Sequence, residues 1–420
     1  MLGLLLARAG VEVTVLEKHA DFLRDFRGDT VHPSTLSLLE DLGLFDRFDA
    51  LTQTRVKHVR FPTPDGEDLL LADFTRLRRR HRHVAMVPQW DLLNLLAQAA
   101  SEEPGFTLLT EHEVTGVLWE SEQVTGVDYA SPAGSGRLLA DLTVACDGRT
   151  SAVRRDANMP SKEFPVGFDA WWFRIPTTNE AGQSLLPRTK KGRVAIAIPR
   201  QGYLQVAQLG FKGTDAAVRA RGVAAFRVEV TELFPEAADG IARIESMDEV
   251  RHLNVRVDRL RRWHRPGVLC IGDAAHAMSP VGGVGLNLAV QDAVAAARIL
   301  AGPLLRGVFT EPTDDADRVL RRVQRRRSLP TIATQSLQRI LHYRLIMPAL
   351  QGKAVQPPRA LTALVRRVPS LAAVPAYVIG VGLHPERAPA WARQSAAPGA
   401  NSTADTPKHP WVSPGPADRT

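Results

Sequence analysis

Between Gly267 and Leu300 the chain reads GVLCIGDAAHAMSPVGGVGLNLAVQDAVAAARIL, and this stretch holds the residues best suited to chemistry. A short apolar run, Val268 to Ile271, breaks at Gly272-Asp273. A loop with Pro280, Gly282 and Gly283 follows, and an amphipathic helix opens at about Leu286. The Asp273 carboxylate can accept hydrogen bonds from hydroxyls, and glycines let backbone approach a ligand closely. A helix start offers unpaired N–H groups and a partial positive charge. That combination suits a phosphorylated or ribityl-bearing cofactor. A second acid-glycine pair, Asp147-Gly148, ends another apolar run just before a helix start near Ser151. By itself Asp147 reads equally well as a turn acid or a helix cap.

Those loops need strands to feed them and helices to receive them. Residues 138–146 are predicted as the strand feeding Asp147, and 268–271 as the strand feeding Asp273. At the front, residues 1–10 read as an apolar helix ended by Gly10, and 11–17 as an alternating strand ended by Glu17. This is the helix and second strand of a dinucleotide-binding βαβ unit, with Glu17 placed for an adenosine ribose. No first strand and GxGxxG turn precede them. The expectation is a fragment, or a wrongly chosen start codon, lacking about one strand and its loop. An export signal is discounted because its n-region would be uncharged and its apolar stretch very short.

Further along, residues 33–42 form a predicted helix punctuated by Pro33 and Gly43, and 56–71 a hairpin turning at Pro64-Asp65-Gly66. Gln89 opens a predicted helix over 90–100, and strands follow near 107–109, 113–120 and 126–129. Residues 157–256 change character, with strands at 170–175, 193–199 and 203–209 and a helix over 218–233: a largely antiparallel layer. Residues 286–300 and 316–345 are predicted helices.

The string GDAAHxxxPxxGxGLNLAxxDA, preceded in order by the Asp147-Gly148 region and the βα front end, resembles the class A FAD-dependent monooxygenases, the para-hydroxybenzoate hydroxylase-like aromatic hydroxylases. The resemblance runs from residue 1 to about 300. It implies an α/β fold: a FAD-binding Rossmann-like domain of glutathione reductase type, with an inserted, mostly antiparallel β-sheet substrate domain and C-terminal helices. The parts would be 1–60, 84–156 and 257–350 for the FAD domain, 61–83 and 157–256 for the substrate domain, 351–387 packed behind them, and 388–420 a disordered tail.

It also implies roles. Arg27, with Arg24 a close competitor, would contact the FAD pyrophosphate, since a guanidinium fork suits phosphate. Gln89 would bond the ribityl or phosphate region. Asp147 and Gly148 would support FAD and the reduced nicotinamide, and Gly272 and Asp273 the ribityl hydroxyls. Gly285, Leu286 and Asn287 would turn helix N–H groups to the pyrimidine end of the flavin, which such a helix start favours by about 0.3–2 kcal/mol when anionic. The Pro280 carbonyl would lie near flavin and substrate. His276 is expected to be structural, bonding backbone in the tight loop. Trp171, Trp172, Phe173 and Arg174 are candidate substrate-domain surface, and neighbouring strand residues such as Trp171 and Trp172 must face opposite ways.

The implied activity is NAD(P)H- and O₂-dependent hydroxylation of a small aromatic substrate through a flavin hydroperoxide, with NADH and NADPH undistinguished. Two alternatives stay open: a reductase or dehydrogenase of the same fold, and a non-catalytic flavoprotein-like protein unable to retain FAD.

Composition bounds the rest. The chain has 420 residues, 44% of them hydrophobic, enough for a large core and two or more domains. Cys146 and Cys270 are expected in buried strands, and no Cys/His spacing points to a metal. The expected setting is the reducing cytoplasm. The +8 charge comes mostly from arginine, clustered at 76–82, 259–265 and 318–327, with aromatics sparse around these clusters and no nucleic-acid module beside them. No nucleic-acid partner and no stable membrane insertion are expected, residues 368–383 coming nearest to a span. A homodimer is compatible with the sequence.

Overall fold

The computed structural model describes residues 1–23, 30–61, 69–178, 184–353 and 366–394. At the front, the helix Leu2–Arg8 buries Leu4, Leu5 and Leu6. It turns at Gly10 into the strand Val13–Leu16, which runs parallel to Phe106–Leu109 with Val13 opposite Phe106. Gly3 lies so close to that partner that a Cβ would sit 2.7 Å from the Phe106 ring. A second parallel pair joins Thr143–Ala145 to Val268–Cys270, Thr143 opposite Val268. Both strands of that pair end in the acid-glycine and glycine-acid turns.

The helix Gly285–Leu305 lies between two cores. Val290, Val294 and Ala297 pack with Leu4, Leu36 and Leu95, whereas Ala293, Ala296 and Leu300 pack with Val268, Leu269 and Trp263. Its alanines permit burial on both sides, because small side chains let neighbours approach closely. By length and composition the stretch Val281–Leu305 could cross a membrane, but 56% of its apolar window is buried in the protein. This corrects the expectation that residues 368–383 come nearest to a span. The burial is that of a core helix.

The middle region supplies a seven-stranded sheet in the order Arg251–Leu253, Phe168–Pro176, Tyr203–Phe211, Arg193–Arg200, Ser184–Lys190, His58–Phe61, Leu69–Asp73. All neighbours are antiparallel except Ser184–Lys190 and His58–Phe61. Trp171, Phe173 and Ile175 pack on one face against Phe226, Val230 and Leu233; Phe168, Ala170 and Trp172 lie on the other. The long helix Asp314–Leu341 starts under a Thr313 cap, whose Oγ1 accepts from Ala316 N at 3.2 Å, with Asp314, Asp315 and Asp317 in the first turn. Cap and acids both favour a helix start. It ends in a π turn, His342–Ile346.

Three expectations need correction. Residues 138–146 are not one strand: Gly134–Leu139 pairs antiparallel with Gln123–Ser131, and Thr143–Ala145 belongs to a different sheet. The chain must leave one sheet for the other, so the apolar run is broken at residues 140–142. Residues 218–233 fall in two helices, Asp215–Ala220 and Gly222–Leu233, split where Gly222 takes φ +76°. Cys146 is exposed, one residue past the end of its strand, while Cys270 is buried. The hairpin turn at 64–66 lies outside the described residues.

Candidate cofactor and substrate site

The strand Val268–Cys270 delivers Gly272 in the left-handed region, φ +58°, where a Cβ would meet the Ala289 Cβ at 3.0 Å. Only glycine suits such a turn under the following helix. Asp273 lies 3.7 Å from the Arg149 guanidinium and is one-third exposed. Burial raises its carboxyl above the usual range, and Arg149 pulls against that rise. The Pro280 carbonyl accepts from Gly283 N–H at 3.0 Å, closing a tight turn. Gly283 takes φ +61°, its carbonyl accepts from Thr30 Oγ1 at 2.7 Å, and a Cβ there would fall 2.5 Å from that same Oγ1. The helix then opens at Gly285 with no side-chain cap, leaving the first-turn N–H groups of Gly285, Leu286 and Asn287 to other partners.

The Asn287 side chain is a clamp. Its Oδ1 accepts from His32 N–H at 2.9 Å and Thr35 Oγ1 at 2.8 Å, and its Nδ2 donates to Thr30 O at 2.9 Å. What it can offer a ligand is therefore its backbone.

Beneath the loop lies a buried ionic cluster of Asp292, His276 and Arg327. Asp292 is fully buried and accepts from Gly272 N–H at 3.1 Å, His276 Nε2 at 2.5 Å and the equally buried Arg327 Nε at 2.7 Å. His276 is structural as expected, but its ring bonds a carboxylate rather than backbone. Several donors on one carboxylate let a buried ion pair persist, although His276 Nδ1 and Arg327 Nη2 are buried without a partner. The long helix contributes more. Gln338 Nε2 donates to Ser279 O and Val281 O at 2.9 and 2.8 Å, flanking Pro280 on both sides, and His342 Nε2 meets Ser279 Oγ at 2.9 Å. Gln335 Nε2 donates to Asp258 O and Ala277 O at 2.7 and 3.1 Å.

The Asp147-Gly148 segment is tied to the same loop. Asp147 accepts from Val153 N–H at 3.4 Å, and Gly148 takes φ +85° with open space where a Cβ would go. Arg154 bridges Ala274 O, at 3.3 Å, and Arg149 O, at 2.9 Å. It also meets the buried Asp258 at 3.4 Å, and Trp263 is fully buried nearby. Glu17 follows the strand Val13–Leu16, its Oε1 accepting from His19 N–H at 2.9 Å. Gln89 is the first residue of the helix Gln89–Ser101 and is half-buried. Among the described residues, no hydrogen bond ties Gln89 to the glycine loop. Arg27 lies outside the described residues.

The loop also touches the seven-stranded sheet. Val281 packs against the cluster of Phe168, Ala170 and Leu209, and Trp172 packs against that cluster and against a second one formed by Val56, Phe74 and Ile198. The Trp172 indole N–H is buried without a partner. Of the four candidate residues there, Trp171 and Phe173 belong to the opposite face. Arg174 stacks on Tyr203, its guanidinium carbon 4.8 Å from the ring centre.

Residues 1–308 match the family described as FAD binding domain. Over 387 residues the chain is 31% identical to 6-methylpretetramide 4-monooxygenase of Streptomyces rimosus, spanning 89% of this chain and 87% of that one. Over 334 residues it is 27% identical to para-nitrophenol 4-monooxygenase of Pseudomonas sp. strain WBC-3, spanning 74% and 77%. Among solved structures it is similar to OxyS anhydrotetracycline hydroxylase from Streptomyces rimosus, with a TM-score of 0.67 and 23% identity over 90% of this chain and 72% of that one, a likeness of fold. The chain belongs to the class A FAD-dependent monooxygenases. It is an oxidoreductase whose cofactor is FAD.

The residues present fit that cofactor. Two glycines sit where a Cβ would collide with the loop's own supports, the helix start carries no side-chain cap, and Asp273 retains acceptor capacity beside Arg149.

Proposed function

We propose that the chain hydroxylates a planar aromatic molecule held between the Pro280–Gly283 turn and the Trp172 face of the sheet, drawing on NADH or NADPH and O₂ in the cytoplasm. The observation that carries this reading is the seating of Val281, next to Pro280, on the same apolar cluster as Trp172. When bound, FAD supplies reduction by the nicotinamide and activation of O₂ for transfer of one oxygen atom.

The chain's own residues do the rest. Asp273 would accept from ribityl hydroxyls. The N–H groups of Gly285, Leu286 and Asn287 would favour negative charge on the cofactor ring. Glu17 would take the adenosine ribose, Arg27 the pyrophosphate, and Gln89, Asp147 and Gly148 the remainder. The Pro280 carbonyl, fixed by Gln338 on either side, would orient a substrate hydroxyl by accepting its proton in a hydrogen bond. Apolar side chains around Trp172 exclude water, which strengthens every polar contact inside.

The test is a screen of phenolic and fused aromatic compounds with purified protein, FAD, NADH or NADPH and ¹⁸O₂. Incorporation of one labelled atom per product is the expected result. Nicotinamide-dependent conversion of a substrate without label would instead establish a reductase. Absence of any flavin binding, read from the visible spectrum after adding FAD, would overturn the assignment of these residues.

A further inference from the structure

The long helix Asp314–Leu341 and the π turn after it present two different faces. Arg327, Thr331, Gln335, Gln338 and His342 turn inward and hold the loop. Outward, at three- and four-residue spacing, go Leu329, Ile332, Ser336, Ile340 and Tyr343. Leu329, Ile340 and Tyr343 are each more than half exposed, at 57%, 58% and 53%. Large apolar side chains exposed singly are ordinary, but a continuous line of them along a helix marks a surface that is covered.

The line reads the same in both directions about Ser336. Ile332 and Ile340 stand four residues to either side, and Leu329 and Tyr343 seven. A two-fold interface requires this kind of self-complementarity. An antiparallel pair crossing at Ser336 sets Ile332 on the partner's Ile340 and Leu329 on the partner's Tyr343, and a small residue at the crossing lets the helices approach closely. Charge sets the limits of the contact. Arg318, Arg322 and Arg325 occupy the same line only beyond Leu329, and Arg344 falls opposite the partner's Ser328. Arg322, Arg325 and Arg344 thus border the apolar stretch, while Arg318, farther out, is paired with Asp315 at 3.0 Å. Covering Leu329, Ile332, Ile340 and Tyr343 in both copies removes about 850 Å² from water, the size of a weak, reversible association rather than of a permanent one.

We propose that two copies of this chain associate in antiparallel fashion through this face, crossing at Ser336. The pairing then joins, through two helices, the two loops that carry Pro280. Bordering arginines of like charge make the association stronger as salt rises, because screening weakens their repulsion. An acidic protein or an anionic lipid surface bound here would show the opposite salt dependence.

The test is Ser336→Cys under mild copper-phenanthroline oxidation, with Arg325→Cys and the unaltered chain as controls and flavin absorbance as the check on folding. Ser336→Cys should give a cross-linked dimer. Arg325→Cys should not, because two residues eleven positions from the crossing lie about 33 Å apart along an antiparallel pair. The unaltered chain controls for Cys146. Sedimentation velocity of the unaltered chain should show a dimer that tightens between about 0.05 and 0.5 M NaCl (roughly a threefold change in screening length) and is lost in Ile340→Arg. A monomer at all salt concentrations, a dimer indifferent to Ile340→Arg, or cross-linking at position 325 but not 336 would each overturn the proposal. So would association that weakens with salt.

Discussion

Replacing Asp292 by asparagine removes one negative charge from a place where water cannot substitute for it. Asp292 and Arg327 are both 0% exposed, and three donors converge on the carboxylate: Gly272 N–H, His276 Nε2 and Arg327 Nε. The amide keeps the shape but leaves the Arg327 charge buried and unpaired. Breaking a buried pair from one side costs about 3–5 kcal/mol. Asp128→Asn is the control, since its pair with Arg137 is largely exposed and worth about 0–1 kcal/mol. Urea unfolding at pH 7 should show a far lower midpoint for Asp292→Asn than for Asp128→Asn, and Asp292→Leu combined with Arg327→Met should recover much of the loss. Burial alone would raise the Asp292 carboxyl, but His276 and Arg327 together hold it below the usual range. Its contribution is therefore present above the ordinary carboxyl value, about 4, and is lost as pH falls through the lower folded value. The gap between wild type and Asp292→Asn should close in that acid range. Equal losses for Asp292→Asn and Asp128→Asn at pH 7 would refute the reasoning.

Three further outcomes follow from the same geometry. Asn287→Ala strands the buried His32 N–H and the Thr35 hydroxyl, so unfolding should become easier by about 1–3 kcal/mol, with FAD held less tightly in a fluorescence titration. Gly283→Ala places a Cβ 2.5 Å from Thr30 Oγ1 at φ +61°, whereas Gly148→Ala meets open space at φ +85°. Both bear backbone strain of about 1–3 kcal/mol, but calorimetry should show the larger loss for Gly283→Ala. Burial lowers His32 and His342 to about 4. Both stay neutral in the folded protein while the unfolded chain takes up protons below about 6.5, so each should cost up to about 1.4 kcal/mol per pH unit as pH falls from 6.5 to 4. His342→Gln should flatten that slope in urea titrations at pH 7, 6 and 5.

The strands and helices of this protein were largely legible because local pattern carries them. Residues 113–120 alternate as one strand should, and the strand Glu113–Glu120 has those bounds. Where the reading failed, tertiary structure overrode a locally uniform pattern. Residues 138–146 look like one apolar strand, yet the chain changes sheets within them. The strand Ser184–Lys190 was missed because it is short of alternating apolar residues and carries Pro187, and its place is fixed by partners far away in sequence.

The loop supports divide in the same way. Gly272, Asp273, Pro280 and the helix start at Gly285 stand out because chemistry at a turn demands particular residue types, and those types sit close together in the chain. By itself, then, the sequence determined the cofactor class and the order of the elements that present it. Gln335, Gln338 and His342 give no such signal, since glutamines on an arginine-rich helix read as solvated surface. Only packing decided that this helix lies against the loop, so that its amides bracket Pro280 and Arg327 meets Asp292. The physical reason is range: turns and caps are satisfied by near neighbours, whereas a buried amide or charge is satisfied by whatever the fold brings to it, here from 35 to 59 residues away.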